Sequence, residues 1–144
     1  MNFPRPMRAR ARALALALAF SVLPGSPPAG AAPAALTLAG PLTNTTLLVT
    51  APGRFELTLD GDTVGGFLRV EAPLPAGRWP VEGTRRGAWF ELACRPTATT
   101  RLVFRGVLNP TELRGTFISG GGGEIIHYGR FRAAVVPPSA LSTP

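Results

Sequence analysis

The sequence contains no lysine, a single cysteine and a single histidine, and each shortage removes a class of chemistry. One thiol cannot close an internal disulfide, so the folded part must be held by its core alone. Cys94 and His127 together fall short of the ligand set a zinc ion needs, and the sequence calls for no metal or other cofactor. Without lysine, the four glycines at 120–123 lack the Lys-Ser/Thr that completes a phosphate cradle. Glu124 follows them and would repel a phosphate, so they read as a hairpin loop. No apolar run reaches the roughly 20 residues of a spanning helix. From residue 35 onward no helical spacing appears either, because Gly and Pro recur too often and the apolar period is two.

The first residues read as an address. Arg5, Arg8, Arg10 and Arg12 precede an apolar run over 13–23, and Ala29-Gly30-Ala31 fits a small-residue cleavage pattern. Residues 1–31 are therefore expected to be a cleaved export signal, placing the protein in the periplasm or outside the cell, with this signal its only membrane contact. The whole-chain charge of +7 then misleads. Removing four arginines leaves 15 − 4 = 11 basic against 8 acidic residues, or +3. Nucleic acid is not expected as a partner, since the basicity lies largely in the discarded segment and no stacking aromatics interleave the remaining arginines. The exclusive use of arginine, among so much Ala, Gly and Pro, reads as compositional drift as much as selection for guanidinium chemistry.

What remains is 144 − 31 = 113 residues, enough for one domain with a modest core. We assign residues 32–136 to that domain and 137–144 to a disordered, proline-bearing tail. The clearest stretch runs over 101–136, where three apolar-alternating runs are separated by Asn109-Pro110-Thr111 and by the glycines. Leu113, Gly115 and Phe117 share one face of the second run. Gly129, Phe131, Ala133 and Val135 share one face of the third with Ile125 and, by parity, His127. Earlier segments at 36–42, 45–50, 55–59, 64–70, 78–82 and 87–94 also read as strands, with Asp60-Gly61 as a hairpin turn and Gly83 as a strand end. Cys94 keeps step with Phe90 and Leu92 and is expected to be buried. The fold class is all-β: an antiparallel up-and-down meander of about eight strands, closed or partly closed into a small barrel, with a β-sandwich as the alternative. An outer-membrane barrel would need an apolar exterior and a polar interior, which this alternation does not provide. A glycine precedes a bulky residue by two in Gly65-Phe67, Gly87-Trp89, Gly115-Phe117 and Gly129-Phe131, where glycines permit sharp coiling and a neighbouring ring covers the gap.

Few residues offer chemistry. His127 on the packed face would line a lumen, and with Phe131, Phe117 and Trp79 it forms the candidate ligand-binding set. Arg105, Arg114 and Arg130 form the candidate anionic-surface stripe on the wet face. Asp60-Gly61-Asp62 lacks the further ligands of a calcium loop and reads as a turn. Asn44-Thr45-Thr46 fits a glycosylation acceptor by pattern and a turn equally well. Ser119 with His127 lacks the glycine-flanked elbow of a serine nucleophile, so no catalytic residue is assigned and the protein is not expected to be an enzyme. The expected function is non-catalytic binding of a small apolar or anionic ligand. The alternative is a structural or protein-interaction module of the cell envelope. The two differ in whether the barrel holds a cavity or a solid core.

Overall fold

The alternating runs become eight antiparallel strands, and each pairs with the next in the chain. The computed structural model describes residues 32–123 and 126–138. The strands are β1 (Ala34–Asn44), β2 (Val49–Asp60), β3 (Thr63–Val70), β4 (Gly77–Arg86), β5 (Trp89–Cys94), β6 (Arg101–Leu108), β7 (Glu112–Gly120) and β8 (His127–Val135). β8 returns to β1, with Leu38 opposite Val135 and Leu42 opposite Phe131, so the meander closes into a barrel and the sandwich alternative falls away. The export-signal reading, Ile125 and most of the proposed tail lie outside the described residues.

Parity decides what faces inward. Phe55, Leu68, Leu92, Phe104, Leu113 and Phe131 all point into the barrel and are buried, as is Cys94. Eight strands leave an interior just wide enough for side chains to fill, and four phenylalanines fill its middle. Phe104 packs against Phe55, Phe117 and Phe131 with ring centroids 5.4, 5.4 and 5.5 Å away. Each such pair adds about 0.5–1.5 kcal/mol beyond area burial. The outer wall carries ion pairs between neighbouring strands, including Arg105–Glu91 at 2.8 Å and Arg132–Glu112. An apolar inside and a charged outside are the inverse of a membrane-spanning barrel.

Glycines let the sheet curl. Gly115 lies opposite Gly106, and a Cβ on it would stand 1.9 Å from the Arg105 carbonyl oxygen, so only glycine permits this approach of β6 and β7. Phe117 lies opposite Gly129 and its ring occupies the space a side chain there would take. The other two glycine–aromatic echoes differ, because Phe67 and Trp89 face outward and are exposed.

Three strand expectations change. Residues 45–48, read as part of a strand, form the β1–β2 turn, because Asn44 folds its side chain back onto the chain and Leu48 takes φ 56°. β4 continues through Gly83 to Arg86, since a glycine facing inward beside Leu92 is an asset at a coiled position rather than a stop. Within the last run the strand begins at His127.

The connections sort by end. Residues 61–62, 87–88 and 109–111 make tight turns at one end. Residues 45–48, 71–76 and 95–100 make the longer loops at the other, where β7 also ends and β8 begins. The longer loops surround a mouth.

Candidate ligand-binding site

Below the mouth the phenylalanine cluster stops and a cavity of about 280 Å³ begins. Phe104 and Phe117 form its floor, and Leu68, Val70, Leu74 and Trp79 form much of its wall. These positions follow from the alternation: each is an inward residue in the mouth half of its strand, or belongs to a mouth loop. One corner is polar. Asn44, Ser119 and His127 meet there from the mouth ends of β1, β7 and β8, with Ser119 and His127 directly opposite each other in the ladder.

The polar corner has a defined proton pattern. The Asn44 carboxamide oxygen accepts the backbone N–H of Thr46 at 3.0 Å and of Leu47 at 2.9 Å. That fixes the amide orientation and turns its NH₂ toward His127 Nδ1, 3.4 Å away. An amide NH₂ can only donate, so Nδ1 accepts and the ring proton of a neutral imidazole sits on Nε2. His127 thus offers the cavity lining a single N–H donor. A serine nucleophile would need the reverse, a bare Nε2 to take its proton.

The sequence-derived candidates separate. His127, Phe117 and Trp79 line the cavity together. Phe131 lies deeper, packed between Phe55 and Phe104, and does not line it. The arginine stripe is divided by register. Arg105 and Arg130 flank Thr116 in one row across β6, β7 and β8. Arg114 stands in a neighbouring row opposite Arg132. Arg105 is further occupied by Glu91, leaving Arg130 and Arg114 without an ion pair among the described residues. Asn44 is buried and committed to its turn, so its side chain is not presented as a glycosylation acceptor. Asp60-Gly61-Asp62 is the β2–β3 turn, and no group of metal ligands occurs among the described residues.

Sequence reading missed Asn44 as a site residue and the contributions of Leu74, Pro75, Pro96 and Thr97 from the loops. The signal available for them was spacing: alternate connections are longer, and in a meander alternate connections share one end.

A second depression of about 490 Å³ lies where β4 runs past the end of β5. Glu82, Arg95 and Arg101 line it with charges of both signs, which suits water better than an apolar ligand. Cys94 borders it, and burial pushes its thiol up from 9.0 to about 11, so this thiol stays protonated and unreactive at neutral pH.

The fold and site together define an eight-stranded closed meander barrel with an apolar cup at one end. No family model matches the chain, and no curated protein matches it.

Proposed function

We propose that the protein is an exported, non-catalytic binder of a small, mainly apolar molecule, held in the cup at the mouth of the barrel. The observation that carries this reading is the cavity itself: an apolar recess with one polar corner, at the open end of an otherwise filled barrel. Pockets of this kind take orientation from a few polar groups and affinity from their walls. The ligand's apolar body would lie against Leu68, Val70 and Trp79, and a carbonyl or carboxylate oxygen would accept from His127 Nε2. The tautomer set by Asn44 favours binding over catalysis, since a protonated Nε2 donates to a ligand and cannot serve Ser119 as a base. Its volume sits at the lower end of ligand pockets, which run from about 300 Å³ upward, so the ligand is small.

Native mass spectrometry of the protein purified gently from its host tests this. The expected result is a reproducible added mass that leaves on denaturation and is absent from a Ser119→Trp variant, whose indole fills the cup. A bare mass for the wild type, or the same added mass on both proteins, overturns the reading.

A further inference from the structure

We propose that the mouth of the barrel docks on the surface of an anionic lipid bilayer, with the β1–β2 turn as its apolar tip. This departs from the expectation that only the export signal touches a membrane, and it stands whether or not the cup is filled.

The first observation is where the exposed apolar side chains gather. Seven large ones are exposed among the described residues, and five of them, Leu47, Leu48, Ile118, Ile126 and Tyr128, lie on the β1–β2 turn and the mouth ends of β7 and β8. Those elements are consecutive around the ring, and Ile118 is the ladder partner of Tyr128. Of the other two, Phe67 is covered by the Arg78 guanidinium, 3.6 Å from its ring centre.

The second observation is that the tip is held out, not merely loose. The Tyr128 carbonyl accepts from Thr45 N–H at 2.8 Å and from the Thr45 hydroxyl at 2.9 Å. Tyr128 N–H in turn donates to the Thr46 hydroxyl at 2.9 Å. Asn44 ties the same turn from beneath. So fastened, the turn places Leu48 in the left-handed region at φ 56°, 86% exposed. Asparagine or glycine would fit that backbone more easily, and leucine there gains no burial within the barrel.

The third observation is charge. Arg69, Arg95, Arg101 and Arg130 are exposed near the mouth ends of β3, β5, β6 and β8 without an ion pair among the described residues, and they outnumber the described acids near them, Glu71 and the Glu82 that shares a depression with Arg95 and Arg101. At the tight-turn end, Asp60, Asp62 and Glu112 stand against Arg85, Arg86, Arg114 and Arg132, and Glu112 pairs with Arg132. Moving down the outer wall from the tip, the order is leucine, then Tyr128, then Arg130. Hydrocarbon, interface and phosphate follow in that order at a bilayer surface, where aromatic rings with a polar tip and basic residues are favoured at the headgroups. A protein partner would explain the apolar cluster but not this layering with an arginine collar.

The chain from residue 32 on contains the eight strands and the buried core of the described residues, and suits the test. It is sedimented with sucrose-loaded vesicles of phosphatidylglycerol and phosphatidylcholine, and with vesicles of phosphatidylcholine alone. We expect binding to the anionic vesicles only, weakened at least tenfold by Leu47→Ser with Leu48→Ser, and weakened by Arg130→Gln. Near-UV circular dichroism should be unchanged in each variant. No pelleting of the wild type with anionic vesicles, or equal pelleting of the leucine variant, overturns the proposal. So does a solution dimer that the leucine variant abolishes, since the patch would then belong to a second copy of the chain. The outcome does not depend on the ligand: vesicle binding with an empty cup would sink the ligand reading and leave this one standing.

Discussion

Replacing Gly115 by alanine tests whether strand glycines shape this barrel. The added Cβ would lie 1.9 Å from the Arg105 carbonyl oxygen and 2.6 Å from the Gly106 Cα, where carbon atoms ordinarily pack at about 3.5–4.0 Å. Both obstacles are backbone, so no side chain can swing aside. β6 and β7 would have to separate by on the order of 1 Å at the Gly106–Gly115 pair. Overpacking of this kind costs about 1–3 kcal/mol, and stretching the adjoining ladder hydrogen bonds forfeits about 0.5–1.5 kcal/mol apiece. With two such bonds the sum, about 2–6 kcal/mol, is a large part of the roughly 5–15 kcal/mol that holds an ordinary domain. Gly65→Ala is the control, because a Cβ there meets nothing within 4 Å. It should be neutral or stabilise by about 0.5–1 kcal/mol, through reduced freedom of the unfolded chain. Urea unfolding followed by the fluorescence of Trp79 and Trp89 measures both. A Gly115→Ala variant within about 0.5 kcal/mol of wild type, or equal losses at the two sites, would refute the reasoning.

Further outcomes follow from two buried groups. Asn44→Ala strips the Leu47 N–H of its acceptor and leaves the Thr46 N–H only its longer bond to the Tyr128 carbonyl at 3.4 Å, and should cost about 1–3 kcal/mol in the same urea experiment; a loss under about 0.5 kcal/mol would mean water replaces the amide freely. Asn44→Asp keeps the oxygen that accepts from both N–H groups but cannot donate to His127, so the ring proton should move to Nδ1, which nitrogen NMR of the imidazole reports. Cys94 gives a pH dependence whose sign is fixed by burial. The unfolded thiol ionises at 9.0 and the folded one at about 11, so above pH 9 ionisation favours the unfolded chain. Stability is therefore complete below pH 9 and declines up to about pH 11 by on the order of 2–3 kcal/mol. Cys94→Ala should flatten the decline, and an unchanged slope in that variant would assign it elsewhere.

How much of this was legible depends on whether a feature is local. The alternation in 101–120 and the turn at Asn109 are local, and both strands and turn lie where parity puts them. The inward set of Phe117, Phe131 and Cys94 was readable for the same reason. Closure was not local: it rests on Leu38 meeting Val135 and Leu42 meeting Phe131, across nearly the whole domain. The β-branched look of Thr45, Thr46 and Val49 masked a turn, because Asn44 sits inside the barrel wall and its side chain overrides strand propensity. The site was half legible. Parity placed His127 inward, but the depth of Phe131 and the split of Arg105 from Arg114 depend on strand shear, which no single run encodes. The glycine–aromatic echo was meaningful where both residues face the core and meaningless at Gly65-Phe67 and Gly87-Trp89, where they face out.

That β1 and β8 lie side by side means the ring has no privileged starting strand. The stabilising contacts depend on the cyclic order of the strands, and that order survives if β8 is joined to β1 by a short linker and the chain is opened at a tight turn such as 61–62 or 87–88. Such rearranged chains should reach the same barrel. What changes is the span each seam must close: the longest separation moves from the β1–β8 seam to the new cut, and with it the last and slowest pairing to form.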